Sequence, residues 1–192
     1  MNGIKIEVKN GKANIYTPYN PTFVCKIKGI GGAKWDSEEE CWIVPEDMID
    51  SAREIMRDAY GFADTDVAET VKVKVTVLDD VSAYHAPYEL MGKVLSRAYG
   101  RDSGAYIGND VAYISGQPCS AGSVKNWGSK VNKGSVIVLT NVSKNLYERY
   151  LESPIENLEV ELMEYKKSRN ELLKEKDELL ERLKEVEKEL NE

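Results

Sequence analysis

The chain lacks the features that mark several large classes of protein. No run of about 18 apolar residues occurs in it, so we expect no transmembrane helix. Its first residues contain no long apolar stretch of the kind found in secretory signals. Cysteine is scarce, with three residues at unrelated spacings, which argues against a disulfide scaffold and for a reducing compartment. We therefore expect a cytoplasmic protein.

Histidine and the common catalytic motifs are equally scarce. His85 is the single histidine, so a serine triad would have to use it, and no G-x-S-x-G nucleophile elbow occurs. No phosphate-binding G-x-x-x-x-G-K-[S/T] loop occurs, and the C-x-x-C pairs typical of zinc sites are missing. The sequence therefore predicts no catalytic residue, no metal ligand and no cofactor, and it favours a non-enzymatic protein.

Charge is unevenly distributed along the chain. The net charge is −7 over 192 residues. Residues 1–66 carry −4, residues 67–150 carry +3 and residues 151–192 carry −6. An acidic protein is not an obvious non-specific nucleic-acid binder, but the mildly basic middle segment leaves room for a local basic face.

Residues 1–62 are typical of a small module with the element order ββαββα. Apolar and charged residues alternate from residue 4 to residue 9, which predicts a half-buried strand. Asn10-Gly11 predicts a tight hairpin, because both central residues of a type I′ turn need a positive φ. The remaining expected elements are a helix after Pro21, strands at 34–36 and 41–44, and a helix from Pro45 to Gly61.

Residues 63–69 have few structural signals and predict a linker, and residues 70–150 predict a second small α+β domain. Alternating valines over residues 71–77 predict a strand with one wet face. Five apolar residues at helical spacing predict a helix that ends at Gly100: Leu90, Met91, Val94, Leu95 and Ala98. Two further strands are expected at 111–115 and 135–140. A loop rich in Gly, Ser, Asn and Lys is expected between them, at 117–134.

The last segment, residues 151–192, predicts a long coiled-coil helix. Its side chains follow a 3,4 spacing that is sustained for about five heptads. An isolated polar helix is only marginally stable in water, so we expect it to pair with another copy or to cap the globular part. The parallel or antiparallel arrangement and the copy number stay open. The residues expected to mediate oligomerisation are Ile155, Leu158, Leu162, Tyr165, Leu172, Leu179, Leu183, Val186 and Leu190.

The pattern K-x-I-x-G-x-x-W-D, followed by W-x-x-P, lies between two predicted helices. It runs from Lys28 to Asp36 and from Trp42 to Pro45, after Pro21-Thr22-Phe23 on the first helix. This part, under a quarter of the chain, resembles the HARP (HepA-related) modules found beside DNA-annealing helicases. The resemblance implies a module that contacts a DNA junction or fork, or that docks onto a protein partner. The overall layout is similar to that of small accessory proteins of phages and mobile elements, such as anti-CRISPR proteins.

Two stretches combine aromatic and basic residues and are candidates for nucleic-acid contact. In the first, Trp35 would stack on an unpaired base while lysines reach phosphates; the alternative is that Trp35 and Trp42 both belong to the core. In the second, residues 111–147 contain four lysines and no acidic residue, and Trp127 lies in a loop that would cradle phosphates. The alternative there is a solvated loop with Trp127 as its anchor. The predicted contacts are Lys26, Lys28, Lys34, Trp35, Arg97, Arg101, Lys125, Asn126, Trp127, Lys130 and Lys133.

These features predict an α+β protein in which the ββαββα-like module, a small mixed sheet with a helix and a C-terminal coiled coil follow one another. We expect a non-enzymatic oligomeric protein that acts on DNA or on a nucleic-acid-processing complex, for example as an inhibitor of a CRISPR-type nuclease. Its expected partners are a second copy through residues 155–190, and DNA or a nucleic-acid-bound protein, with no membrane. The alternatives are a protein-interaction scaffold without nucleic-acid contact, and an enzyme on a small phosphorylated substrate at residues 116–134.

Overall fold

A computed structural model describes residues 3–163, residue 176 and residues 179–184. Strands hold 42% of these residues and helices 23%, in four small antiparallel sheets with short helices. The predicted α+β class with a long C-terminal coiled-coil helix is therefore wrong, because the described part of the chain is mainly antiparallel β. None of the described helices combines the length and the apolarity needed to cross a membrane.

The N-terminal unit is a four-stranded sheet packed against two helices. Its elements are β1 (Lys5–Lys9), β2 (Lys12–Tyr16), α1 (Pro21–Ile27), β3 (Lys34–Asp36), β4 (Cys41–Pro45) and α2 (Ile49–Tyr60), in the strand order β1-β2-β4-β3. The predicted hairpin between β1 and β2 is confirmed, with φ of 52° at Asn10 and 71° at Gly11. Gly61 ends α2 in the left-handed conformation, also as predicted.

Alternation along β2 and helical spacing along α1 and α2 direct one set of apolar side chains into a common core. Ile15 from the sheet, Phe23 and Ile27 from α1 and Met56 from α2 are all fully buried. Burying each such side chain contributes about 1.5–3 kcal/mol. The unit therefore has a core of its own, built from residues that are close in sequence.

The second unit contains three antiparallel sheets around one core. Its elements are β5 (Thr70–Val77), β6 (Val81–Tyr84), β7 (Tyr88–Leu90), β8 (Lys93–Ala98), β9 (Ala105–Tyr106), β10 (Val111–Ser115), β11 (Pro118–Gly122), β12 (Trp127–Val131), β13 (Val136–Ser143), α3 (Lys144–Glu152) and β14 (Leu158–Met163). The strand orders are β10-β13-β5-β14, β11-β12-β6 and β7-β8-β9. Alternate valines of β5 lie in the core, which confirms the predicted strand at residues 71–77.

The helix predicted before Gly100 is wrong, because this segment forms the hairpin β7–β8. Met91 and Gly92 make its turn with φ of 47° and 73°. Three consecutive residues of β8, Val94, Leu95 and Ser96, are buried. Both faces of β8 are therefore covered, and the resulting apolar run imitated helical spacing in the sequence.

The predicted heptad pattern is also wrong where it begins, because residues 158–163 form β14 against β5. Leu158 is 5% exposed and packs into the chain's own core instead of facing a second copy. The hydroxyl of Tyr150 donates to the carbonyl of Leu158 at 2.9 Å and holds this strand in place.

The other residues expected to mediate oligomerisation fall in three settings. Ile155 precedes β14, and Leu162 lies on β14 with 52% of its surface exposed. Leu179 and Leu183 lie in a helical segment and are 62% and 55% exposed. Four positions lie outside the described residues: Tyr165, Leu172, Val186 and Leu190. Oligomerisation through these side chains stays a prediction.

The two units are joined by one buried asparagine. The Asn20 side chain is buried, and its Oδ1 accepts from the Phe23 N–H at 2.9 Å, which caps the N-terminus of α1. Its Nδ2 donates to the carbonyl of Ala59, in the last turn of α2, and to the carbonyl of Gly92, in the β7–β8 turn, at 3.3 Å each. A single side chain therefore ties two helix ends to the neighbouring unit.

Further contacts join the units, and among them Asn145 Nδ2 donates to the carbonyl of Gly61 at 2.8 Å. Thr22 donates to the Glu89 carboxylate at 3.2 Å, and burial raises the pKa of Glu89. In the predicted linker at residues 63–69, Asp64 and Asp66 form ion pairs with arginines of α2. This segment therefore follows the surface of α2.

Candidate functional site

The predicted contact residues are dispersed, and ion pairs occupy some of them. Three pairs involve predicted cations: Lys26 with Asp58, Arg101 with Asp102, and Lys130 with Asp80. Such exposed pairs contribute little stability, but each cancels local positive charge. Four of the predicted lysines are exposed and form no ion pair with a described residue: Lys28, Lys34, Lys125 and Lys133.

The two tryptophans of the N-terminal unit differ in their environment. Trp42 lies on β4 and is 7% exposed, whereas Trp35 lies on the edge strand β3 and is 52% exposed. Their ring centroids are 5.5 Å apart in an edge-to-face arrangement. Trp42 is therefore a core residue, and Trp35 keeps part of its ring available for contact.

The predicted Gly- and Ser-rich loop is a regular hairpin whose tip carries a stack of aromatic rings. β11 and β12 are paired along their length, with Pro118 opposite Val131 at one end and Gly122 opposite Trp127 at the other. β12 also pairs with β6. The ring of Tyr84, at the end of β6, stacks on His85 with centroids 3.9 Å apart, and His85 lies 5.0 Å from Trp127. The three rings form one continuous stack across two strands.

Hydrogen bonds fix this stack to the hairpin turn. His85 Nε2 lies 2.9 Å from the Lys125 carbonyl oxygen and donates to it in the tautomer that has the proton on Nε2. The Tyr84 hydroxyl donates to Asn126 Oδ1 at 3.0 Å. His85 has a φ of 49°, a conformation that costs a non-glycine residue about 1–3 kcal/mol and persists only where its surroundings impose it. The hairpin therefore presents its rings in a defined orientation.

The charge beside the stack comes from Lys125. Lys125 and Tyr84 are both exposed, the latter by 65%. Farther along the hairpin, Asp80 pairs with Lys130 at 2.6 Å and accepts from the Lys133 N–H at 2.8 Å. The Lys130 ammonium lowers the pKa of Asp80, so this carboxylate stays charged. Positive charge is thus concentrated at the tip of the hairpin.

A cleft of about 940 Å³ lies between the two units. On one side the guanidinium of Arg97 lies 4.5 Å from the ring centroid of Tyr19 and 4.8 Å from that of Tyr99. Tyr106 pairs with Arg97 across strands β8 and β9. Burial raises the pKa of Tyr19, and the charge of Arg97 opposes that rise. This wall combines three tyrosines with one cation.

The other wall of the cleft is a polar network. Lys93 Nζ lies 2.8 Å from Asp110 Oδ2, and Asn141 Nδ2 donates to Asp110 Oδ1 at 3.1 Å. Burial tends to raise the pKa of Asp110, but the ammonium of Lys93 outweighs it and the net shift is downward. Asp110 and Asn141 have φ of 65° and 51°, so two strained residues meet on this wall.

His85 has no acid–base partner in the described part of the chain. Its contacts there are two aromatic rings and a backbone carbonyl, and it does not line the cleft. No group of three His, Cys, Asp or Glu side chains among the described residues is placed to hold a metal ion. The arrangement of His85 is that of a ring held in a stack.

Neither a protein-family model, a curated protein nor a solved structure matches this chain. Both surfaces therefore have to be interpreted from their own chemistry.

Sequence reasoning found Trp127 and Arg97 but missed the rings that surround them: Tyr19, Tyr84, His85, Tyr99 and Tyr106. One signal was present, since the chain has 11 tyrosines and only 2 phenylalanines. Tyrosine has an apolar body and a polar end, and it tolerates a half-exposed position that phenylalanine avoids.

Proposed function

We propose that this chain is a non-enzymatic protein that binds single-stranded nucleic acid at the tip of hairpin β11–β12. The observation that carries the proposal is the stack of Tyr84 and His85, both exposed, with the tilted and partly exposed ring of Trp127 next to it and Lys125 in the same turn. Aromatic platforms flanked by cations hold unpaired bases largely without reading their sequence. Paired bases in a duplex do not offer their faces to such a platform, so single strands are the expected ligand.

The binding would extend the stack by one or two bases. Each base that stacks on an aromatic ring contributes about 1–3 kcal/mol. Lys125 would contact a phosphate and release counterions, which adds about 0.7 to the salt slope for single strands. The net charge of −7 opposes a long footprint. We therefore expect weak, salt-sensitive binding of a few nucleotides.

The test is fluorescence anisotropy with a labelled single-stranded oligonucleotide over a salt series. Tyr84→Ala should weaken binding by about 1–3 kcal/mol, and Tyr84→Phe should retain it because the ring remains. Lys125→Ala should weaken binding equally for all sequences and lower the salt slope by about 0.7. Lys12→Ala, an exposed lysine on β2, is the matched control. Absence of wild-type binding at low salt would refute the proposal.

A forked duplex belongs in the same experiment, because residues 21–45 resemble a HARP-type module. Tighter binding to the fork than to the single strand, unchanged in Tyr84→Ala and reduced in Trp35→Ala, would move the contact surface to β3. Equal loss for both ligands in Tyr84→Ala would keep it at the hairpin.

A protein partner is the second candidate function, and the ion pairs of the predicted cations favour it. Lys26, Arg101 and Lys130 are engaged by carboxylates of this chain, and residues 151–192 carry −6. An acidic segment of this kind would compete with nucleic acid for the basic channel of a nuclease. Inhibition of cleavage by a CRISPR-type nuclease, without any binding to free DNA, would favour this function over the first.

A further inference from the structure

We infer that the cleft between the two units is a separate binding site for one nucleotide unit, a nucleobase with its phosphate. The residues that line the cleft include none of hairpin β11–β12 and neither Tyr84 nor His85. Arg97 of β8 lines the cleft, whereas its neighbour Ser96 donates to the Cys119 carbonyl of β11 at 3.1 Å. A ligand in the cleft therefore need not touch the hairpin tip.

The anion-binding half of the site is Arg97. Tyrosine rings lie 4.5 Å and 4.8 Å from its guanidinium, and no carboxylate of a described residue pairs with it. The guanidinium carbon lies over the rings of Tyr19 and Tyr99, and its N–H groups lie in the guanidinium plane and present an edge to a ligand. Such an edge matches two phosphate oxygens and forms short, charge-assisted hydrogen bonds with them.

The base-binding half is the group of tyrosines around Arg97. Tyr19, Tyr99 and Tyr106 line the cleft and are 55%, 61% and 61% exposed. The rings of Tyr99 and Tyr106 lie 6.4 Å apart at 57°, so neither covers the face of the other. A planar heteroaromatic ring beside Arg97 would complete the stack that the chain itself leaves open.

The network of Lys93, Asp110 and Asn141 adds hydrogen-bonding groups and rigidity to the cleft. Asn141 donates through its Nδ2 to Asp110, which leaves its Oδ1 to accept from an exocyclic amine of a base. The strained φ values of Asp110 and Asn141 are held by the bond to Lys93 and by the β13 bulge. Asn20 ties the units together beside the cleft. The walls are therefore set before a ligand arrives, which reduces the ordering cost of binding.

The size of the cleft suits a single nucleotide. Pockets for small ligands have volumes of about 300–1,000 Å³, and this cleft has about 940 Å³. The same chemistry is offered by a free mononucleotide and by the phosphorylated end of a strand, so the experiment has to distinguish these two sources.

The experiment is isothermal titration of the full chain with adenosine, guanosine, cytidine and thymidine monophosphates. Adenosine probes the base-binding half alone, and inorganic phosphate probes the anion-binding half alone. At least one mononucleotide should bind about tenfold or more tightly than either half, because base and phosphate contacts add. A 5′-phosphorylated single strand and a circular single strand, which has no end, are titrated in parallel. Tighter binding of the phosphorylated strand than of the circular strand, with the difference lost in Arg97→Gln, would assign the site to strand ends.

Variants separate the site from the hairpin. Arg97→Gln should reduce binding about tenfold or more through loss of the charge-assisted contact. Tyr106→Ala should also reduce binding. Tyr106→Phe should bind as tightly as the wild type, because the ring and not the hydroxyl makes the proposed contact. Lys12→Ala, at an exposed lysine outside both surfaces, should leave mononucleotide binding unchanged. Mononucleotides test the cleft and the anisotropy series tests the hairpin, so failure of one proposal is distinguishable from failure of the other. Thermal unfolding confirms that each variant is folded.

Two results would overturn the inference. One is that no mononucleotide binds at millimolar concentration and the phosphorylated strand binds no more tightly than the circular strand. The other is that binding occurs but is unchanged in both Arg97→Gln and Tyr106→Ala.

Discussion

Replacing Asn20 with alanine removes three hydrogen bonds, two within the N-terminal unit and one that joins it to the second unit. The cap on the Phe23 N–H is lost, and the carbonyls of Ala59 and Gly92 each lose a donor. Ala59 lies in the last turn of α2, where the carbonyls have no partner within the helix. Because the side chain is 1% exposed, water does not readily replace what is lost.

The magnitude follows from these three bonds. Losing an N-cap costs about 0.5–2 kcal/mol, and each neutral hydrogen bond contributes about 0.5–1.5 kcal/mol. The two carbonyl contacts are long, at 3.3 Å each, so their values lie in the lower half of that range. The expected loss is about 1.5–4 kcal/mol. In a chain of this size it lowers the Tm by roughly 3–16 °C.

The assay is urea unfolding at neutral pH, with thermal unfolding as the second measurement. Asn20→Ser retains a capping oxygen but no amide donor, so it should lose about half as much stability as Asn20→Ala. Asn157→Ala, at an exposed side chain, should stay within about 0.5 kcal/mol of the wild type. A loss below about 1 kcal/mol in Asn20→Ala, or equal losses in both Asn20 variants, would refute the reasoning.

Three other changes test separate features of the fold. Gly61→Ala should cost far more than Gly11→Ala: both have positive φ, but the added methyl collides with Ser143 only at Gly61, and the strain alone costs about 1–2 kcal/mol. Glu89→Gln should stabilise the protein at neutral pH, because burial raises the folded pKa of this carboxyl and wild-type stability falls as pH rises through that value. Tyr150→Phe should cost about 1 kcal/mol and speed hydrogen exchange in β14.

The outcomes that contradict these expectations differ. Equal urea midpoints for the two glycine variants would show that the contact at Gly61 relaxes freely. A stability difference between Glu89→Gln and the wild type that persists in acid, where both side chains are neutral, would exclude the charge as its cause. Unchanged exchange in β14 after Tyr150→Phe would mean that backbone pairing alone holds the strand.

The elements of the N-terminal unit could be predicted because short stretches of sequence determine them. The pair Asn10-Gly11 readily adopts the positive φ values that a tight hairpin turn requires. The helix α2 has its apolar residues on one face and a glycine at its end. Each signal needed only a few neighbouring residues, with no knowledge of distant contacts.

The errors in the second unit have two physical causes. In β8 both faces are covered, so the alternation that identifies a strand disappears and Val94 to Ala98 imitate a helix. In β14 the alternation Leu158-Glu159-Val160-Glu161-Leu162 was present. Leucines four apart fit a heptad equally well, and only pairing with β5 distinguishes the two.

The features of the candidate sites also divide into those that local sequence reveals and those that depend on distant contacts. Lys125 and Trp127 could be found from local composition, since they lie in a stretch without acidic residues. The contact between His85 and Trp127 depends on pairing of β6 with β12, and the cleft depends on the approach of two units. Neither arrangement has a signature within a short window of sequence.

The position of β5 in its sheet bears on how the chain is made. Residues 70–77 emerge from the ribosome long before either neighbour, β13 or β14, exists, whereas the N-terminal unit closes on itself as soon as α2 has emerged. During that interval β5 is a valine-rich strand with both edges open, the kind of segment that aggregates. Lys72 and Lys74 alternate with those valines and act as gatekeepers on the nascent chain. In the completed sheet, Lys74 forms an ion pair with Glu161 of β14.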